Sequence, residues 1–510
     1  MQEKALKYAK TLAPKRRNVM YEYNNQRSMF EDPEYFKIEG LDPNNRWVVL
    51  SNLIPWAEIE EKYAETFENK RTGQLAKPAR MAFASELIKK KLGLSDVELV
   101  EMITENPYLQ YFIGMEYFSK EAPFDSSTLT YFRKRLTPEM IDELNEYAIE
   151  EHKRRNPPKG GGGGVSAGGK SSNEESEKEE ENKGTLTVDA TCSPQNIKFP
   201  TDVGLLNDAR LKAEEMIDRI YTLTGKTGIK PRTYREKAKK DFNTFARNRK
   251  PSKKTIRKAI KKQLSYVRRN LGHLRNMDIS LLSDRQFKEY LVIQVLYEQQ
   301  QKMFDENSHV VENRIVSISQ PHVRPIVRGK VNAPVEFGAK IATSVVDGFS
   351  RVEELSWDAF NESKTLENSI EEYKIREGVY PERVLADKIY RTRDNRSYCK
   401  ERGIEMSGPA LGRPPADKSL YRAQVRKERE EAGERNQVEG SYGTVKTVYG
   451  LGKVMMKLKH TSEVDIHAAV LSLNLWKMVA EIQASLRKLL IRFIRGIWDM
   501  IRQEKPIPAQ

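Results

Sequence analysis

The sequence is poor in cysteine, with only Cys192 and Cys399 among its 510 residues. Two isolated cysteines exclude a disulfide framework and a zinc site of the CxxC type, and they fit a reducing, cytoplasmic setting. Long apolar runs are also lacking, because no stretch approaches the roughly 18 residues that a membrane-spanning helix needs. The N-terminal segment MQEKALKYAKTLAPKRR has no apolar core of the kind that defines a signal peptide. We therefore expect neither a secreted protein nor a membrane protein.

The sequence has fewer acidic than basic residues. The chain carries 88 Lys and Arg against 73 Asp and Glu, a formal net charge of +15. An excess of this kind favours a polyanionic partner, and nucleic acid is the first candidate. The length is sufficient for two or three domains, each with a core of its own.

Residues 1–150 show helical periodicity. Ser95 followed by Glu98 predicts a capping box at the start of one helix, and a later helix beginning near Ser126 ends in the basic triplet Arg133, Lys134 and Arg135. Several short helices with a basic last one are typical of a DNA-binding module of the helix-turn-helix type. A helical bundle with a basic surface has the same pattern, so the two interpretations stay open.

Residues 151–184 change in composition, with a run of glycines followed by serine, lysine and glutamate. Such a segment buries too little apolar surface to offset the loss of chain entropy on folding. It therefore predicts a disordered linker between two domains.

After the linker, TLTVDATCSPQN alternates like a strand, and we expect that strand to end on Asp189. Helical periodicity returns at about 205–305, and the middle of this segment is intensely basic. The density of positive charge predicts an insert that follows a phosphate backbone. The candidate DNA-binding residues of the insert are Lys253, Lys254, Arg257, Lys258, Lys261 and Lys262.

A second group of strands follows the insert. Asp347-Gly348 predicts a hairpin turn, and a short strand in RVLADKIY leads to Asp387. The order of elements over 185–463 predicts an α/β fold in which helices cover a mixed sheet, and it fits a ribonuclease H-like core. Residues 464–510 predict an amphipathic helix, packed on the core or on a second subunit in preference to a membrane surface.

The stretch RNQVEGSYGTVK places one carboxylate, Glu439, between Arg435 and Lys446 on one helical face. A solvated salt-bridge ladder gives the same pattern. Gly440 and Gly443 oppose that interpretation, since each glycine costs a helix about 1 kcal/mol relative to alanine. The alternative is a site at which a ligand approaches the backbone closely.

Asp189 and Asp387 at strand ends and Glu439 on a helix are placed where ligand sites form in open α/β sheets. Converging carboxylates repel one another unless a cation lies between them, and oxygen ligands select Mg²⁺ or Mn²⁺. Two such ions would activate a nucleophile and stabilise the leaving oxygen of a phosphodiester. Arg435 and Lys446 would then hold the phosphates.

These residues resemble the signature Y-x2-R-x3-E-x6-K of one group of bacterial insertion-sequence DDE transposases. Arg435, Glu439 and Lys446 match it, whereas Ala432 occupies the tyrosine position. Asp189 in TVDAT and Asp387 in LADKIY correspond to the other two acids. The resemblance implies an all-α N-terminal domain, a ribonuclease H-like core with its helical insertion after the first strand, and two Mg²⁺ ions. It also implies cleavage at terminal inverted repeats, strand transfer into target DNA, and a homodimer or higher synaptic complex bound to the nucleoid.

Two alternatives remain beside an active transposase. A ribonuclease H-like nuclease would cut DNA without joining strands, and a transposase-derived DNA-binding protein would have lost the chemistry. The presence of all three acids favours the two enzymes, whereas Ala432 keeps the third interpretation open.

Overall fold

The computed structural model describes residues 41–67, 76–156, 181–328, 335–409, 412 and 417–503. Most of the predicted linker and the first 40 residues lie outside these ranges. The described part begins with a helical region. Its helices are α1 Arg46–Ser51, α2 Trp56–Glu65, α3 Ala79–Leu92, α4 Asp96–Glu105, α5 Pro107–Phe112, α6 Thr128–Arg135 and α7 Pro138–Arg155.

Local signals set several helix ends in this region. Ser95 and Glu98 form the predicted capping box at the start of α4. Gly93 ends α3 with a φ of +67°, a left-handed conformation that glycine adopts at little cost. The basic triplet occupies the last turn of α6, as predicted.

One mixed sheet of six strands follows. Its strands are β1 Thr185–Pro194, β2 Arg324–Val327, β3 Val335–Val346, β4 Phe349–Ser356, β5 Arg383–Leu385 and β6 Glu405–Met406. β1 is antiparallel to β3 and parallel to β5, which in turn pairs with β6. β2 and β4 both pair with β3. The predicted mixed α/β architecture with an N-terminal helical region is therefore confirmed.

The first strand differs from the prediction in length. Asp189 lies in the middle of β1, because pairing with β3 continues to Pro194. Pairing with β5 ends at Thr187, so Asp189 follows the last residue of the parallel ladder. The predicted hairpin joins β3 to β4, and Asp347 and Gly348 both have the positive φ that a tight turn requires.

The insertion between β1 and β2 is a helical bundle. It contains α8 Asp202–Leu223, α9 Arg235–Ala246, α10 Lys253–Arg275 and α11 Asp284–Asp305. The bundle has an apolar cluster of its own, to which Leu206, Ile217, Val267 and Leu296 contribute. It therefore extends from the sheet as a unit that folds around a separate core.

Helices cover both faces of the sheet. On one face α12 Leu366–Glu377 and α13 Arg393–Glu401 pack on the apolar residues of β1 and β5. α14 Lys418–Val448 and α15 Lys459–Gln503 follow. Buried residues of α14 and α15 share a cluster with the N-terminal helices and with β3. The helical region and the sheet thus rest on one core, and no helix in the described ranges is long and apolar enough to cross a membrane.

Candidate active site

The Asp189 carboxyl has a strongly perturbed pKa. Burial raises the pKa of its carboxyl to about 6, against the opposing hydrogen bond of 2.8 Å that the Ala190 N–H donates to Oδ1. The carboxylates of Glu362 and Asp387 raise this pKa further, whereas the Arg435 guanidinium lowers it. Asp189 therefore lies in an acidic, partly desolvated environment, which a bound cation would relieve.

Asp387 and Glu439 lie on either side of Arg435. Asp387 follows β5 and accepts a 2.6 Å hydrogen bond from the Lys388 N–H, which caps a short 3-10 turn. Arg435 Nη1 is 3.9 Å from Asp387 Oδ1, and its Nη2 is 3.6 Å from Glu439 Oε1. The structure thus brings the second and third acids together through one guanidinium, and both carboxylates are more than half exposed.

The predicted metal ligands do not form a complete set in this structure. Within the described ranges, no three His, Cys, Asp or Glu side chains lie close enough together to hold a metal ion. The Arg435 guanidinium lies within ion-pair distance of both Asp387 and Glu439. The donors are nevertheless carboxylate oxygens, which suit a hard divalent ion.

Sequence reasoning missed a fourth acid. Glu362 lies in a 3-10 turn after β4, at Glu362–Thr365, and it forms a 2.9 Å ion pair with Lys340 of β3. Its charge also acts on Tyr390, a buried residue that follows Asp387. No motif in the sequence marks Glu362, because its position depends on the path of the chain after β4.

Sequence reasoning also missed Tyr442, which lies on α14 three residues after Glu439. Its hydroxyl donates a 3.0 Å hydrogen bond to the backbone carbonyl of Asp189 and contacts the hydroxyl of Thr343. Burial raises its pKa well above the usual value, and the nearby carboxylate of Asp189 acts in the same direction. The spacing of three residues from Glu439 on a helix was the available signal.

The remaining residues of the signature lie along the same helix. Lys446 is half-buried on α14, near enough to Cys192 of β1 to lower the pKa of that thiol, which burial raises overall to about 12. Gly440 and Gly443 are exposed, and a Cβ at either position would meet no atom within 4 Å. The described part of the chain therefore gives no packing reason for these two glycines.

The cations of the insert lie on its surface. Lys253, Lys254, Arg257, Lys258, Lys261 and Lys262 are all exposed on α10. Arg257 contacts Asn307 and the Phe304 ring, and Lys262 pairs with Asp241. α10 begins with two lysines and no acid in its first turn, although the helix dipole and like charges four residues apart oppose that arrangement. An anionic partner would offset the cost.

The basic triplet of α6 divides into different environments. Arg133 is buried, with Nε 2.6 Å from Glu86 Oε1 and Nη1 2.9 Å from Asp96 Oδ2. Arg133 therefore stabilises the helical region, because its guanidinium is buried and already paired with two carboxylates. Arg135 stacks on the Phe67 ring, and Lys134 is exposed beside Tyr131. Of the three, Lys134 is the most accessible to DNA.

Two segments of the chain match family models of transposases. Residues 384–476, which include Asp387 and Glu439, match the family model of a transposase DDE domain. Residues 37–135 match a transposase domain (DUF772). An uncharacterized protein of Rhizobium meliloti, ORF8 in the nfe locus, is 31% identical over 179 residues, which are 35% of this chain and 74% of that protein. No solved structure matches.

Proposed function

This chain belongs to the DDE transposases of bacterial insertion sequences, and we propose that it cuts DNA at the ends of its element and joins them to target DNA. The observation that carries the proposal is the grouping of Asp387, Arg435 and Glu439 beside the half-buried Asp189. Acids with an adjoining guanidinium suit a reaction at a phosphodiester, in which charge develops on oxygen.

The core proposed for this reaction is ribonuclease H-like. The sheet supports that assignment through its central β1, which is antiparallel to β3, parallel to β5 and carries Asp189. Asp387 follows β5, and α14 carries both Glu439 and the Arg435 that contacts the two acids. The helical insertion occurs after the first strand, as the resemblance implies.

Asp189, Asp387 and Glu439 are the residues proposed to hold divalent metal, Mg²⁺ or Mn²⁺, in a site for two ions. Bound metal would supply an activated nucleophile and charge stabilisation of the leaving oxygen. The protein contributes carboxylates whose mutual repulsion favours a cation. Arg435 and Lys446 are proposed to bind phosphate oxygens, and binding of DNA would draw Arg435 away from the two acids that it bridges.

Transposases bind DNA, and the exposed cations indicate two surfaces for it. One is the first half of α10, where Lys253, Lys254, Lys258 and Lys261 form no ion pair among the described residues. The other is the end of α6 at Lys134 and the partly exposed Arg135. We assign element ends and target DNA as the partners of these surfaces, with a dimer or larger complex as the active form.

The test is cleavage of DNA that carries the flanking ends of the element, with Mg²⁺ or Mn²⁺. Asp189→Asn, Asp387→Asn and Glu439→Gln should each lower cleavage by at least about a thousandfold, because each removes a charged ligand near the reacting phosphate. Their DNA affinity, measured by gel shift, should stay within about threefold of the wild type, since most phosphate contacts lie elsewhere.

The products separate the candidate functions. Joined strands would support a transposase, whereas nicked ends without joining would indicate a nuclease. Binding without cutting by the wild-type protein under either metal would indicate a DNA-binding protein that has lost catalysis. Equal loss of binding and cleavage in all three variants would contradict the assignment of the acids.

A further inference from the structure

Tyr442 connects the two parts of the chain that carry the first and third acids. It lies on α14, three residues after Glu439, and so projects from the same side of the helix. Its hydroxyl donates a 3.0 Å hydrogen bond to the carbonyl oxygen of Asp189. One side chain thus joins the helix of Glu439 to the backbone of Asp189.

The second partner of this hydroxyl strengthens the connection. Thr343 of β3 is buried and lies directly opposite Asp189 in the antiparallel ladder. A phenol has one proton, so Tyr442 donates to the Asp189 carbonyl and accepts from Thr343. The helix is therefore fixed against both members of one cross-strand pair.

The local path of β1 explains why this contact matters. Parallel pairing with β5 ends at Thr187, two residues before Asp189. Asp189 therefore sits where the sheet opens toward the site, and on the β5 side no paired strand residue holds its backbone. Tyr442 supplies a hydrogen bond at that position.

We infer that Tyr442 is a positioning residue, which holds the helix that carries Glu439 against the backbone of Asp189. The inference rests on the proposed function, because it concerns the same acids. Glu439 is more than half exposed, and its carboxylate is free to change rotamer while the helix stays in place. If the helix were not held in place, the distance between the two carboxylates would vary, and the affinity for an ion bound between them would fall.

The experiment compares Tyr442→Phe with the wild type in two assays. Mn²⁺ affinity is measured without DNA by calorimetry, and cleavage is measured against Mn²⁺ concentration. Loss of the hydroxyl should weaken Mn²⁺ binding by about tenfold and shift the midpoint of the cleavage curve equally, as for other groups that orient metal ligands. High Mn²⁺ should restore most of the cleavage rate, whereas a purely structural defect would lower the rate at every concentration.

Two variants serve as comparisons. Tyr421→Phe makes the same change at an exposed tyrosine of the same helix, and it should leave both assays unchanged. Thr343→Val removes one partner of the Tyr442 hydroxyl but leaves its bond to Asp189, so a smaller shift in the same direction is expected. This second change keeps the test decisive should Tyr442→Phe fold poorly.

The outcomes distinguish the inference from the function on which it rests. Wild-type Mn²⁺ affinity and midpoint in Tyr442→Phe, together with an inactive Glu439→Gln, would overturn the role of Tyr442 and leave the proposed function intact. A Glu439→Gln protein that binds Mn²⁺ and cuts like the wild type would overturn both.

Discussion

At the scale of single residues, His322 couples stability to pH. Burial and the nearby cations Lys459 and Arg324 lower its pKa from 6.5 to about 4, and its ring packs edge-on against Trp357 at 4.3 Å. The folded protein therefore holds this imidazole neutral. Between pH 6.5 and about 4 the unfolded chain binds a proton there that the folded chain does not, so stability falls as the pH drops through this window.

His322→Phe should remove that sensitivity while it keeps a ring against Trp357. From pH 7.5 to pH 5 we expect the wild type to lose about 1–2 kcal/mol more unfolding free energy than the variant, after allowance for partial exposure of the imidazole. Urea denaturation at the two pH values measures the difference. Equal losses in both proteins would show that His322 titrates normally in the folded state.

For single residues, the sequence predicts a position on an element, but it does not predict which way the side chain points. Asp387 and Glu439 were predicted from local patterns, because Asp387 follows a short strand and Glu439 lies on one face of a helix. Arg133 was assigned to DNA because it lies in a basic triplet, yet the helix turns it inward to Glu86 and Asp96. Only the packing of α3 and α4 against α6 decides that direction, and no local pattern contains it.

At the scale of elements, α14 has glycines that lower its stability without any packing reason. Gly440 and Gly443 are exposed, and a Cβ at either position has open space around it. Gly440→Ala and Gly443→Ala should therefore each stabilise the protein by about 0.5–1 kcal/mol through helix propensity. If DNA approaches the backbone here, both changes should nevertheless lower cleavage, by roughly tenfold.

This prediction is specific because the same substitution should raise stability and lower cleavage activity. Thermal denaturation gives the first quantity, and the cleavage assay gives the second. Gly272→Ala makes the same change at an open position of α10, away from the acids, and should stabilise the protein without loss of cleavage. Full activity in the Gly440 and Gly443 variants would contradict close contact between DNA and this helix.

The sequence largely predicts the helices and turns, but it predicts less well which strands pair and over what length. The hairpin at Asp347-Gly348 and the capping box at Ser95 depend on neighbours in sequence, and both formed as predicted. The extension of β1 beyond Asp189 depends on β3, which lies about 150 residues later. Glu362 was missed for the same reason, since a non-local path brings it near Asp189.

At the scale of the whole molecule, the helical region and the sheet are held by a buried polar network. Asn474 of α15 donates to Asn145 of α7 at 2.8 Å and to the Ser350 carbonyl of β4 at 2.7 Å. The Ser350 N–H returns a 2.9 Å bond to Asn474. Because these buried amide groups are fully hydrogen-bonded, they fix the orientation of the helical region relative to the sheet. We therefore expect the two regions to unfold together.

The C-terminal end of α15 is exposed and apolar, in contrast to this buried polar network. Beyond residue 482 the helix leaves the shared core and exposes large apolar side chains along one side. They are Leu486, Leu489, Leu490, Phe493, Ile494 and Trp498. If each buries on the order of 100 Å², two copies together would remove roughly 1,200 Å² from water, which reaches the lower range of stable interfaces. Arg492 and Lys488 lie on the other side of the helix, so pairing of the apolar sides keeps these charges apart.

A second copy of this chain is therefore the partner that we propose for the end of α15. Leu489→Asp combined with Phe493→Asp should convert a dimer to a monomer in light scattering after size exclusion, because two buried carboxylates would face an apolar partner. Lys488→Asp combined with Arg492→Asp adds the same residues on the opposite side and should leave the dimer intact. A wild-type monomer that binds lipid vesicles would assign this face to a membrane surface instead. Loss of the dimer in both double variants would show that net charge, and not the apolar side of α15, controls association.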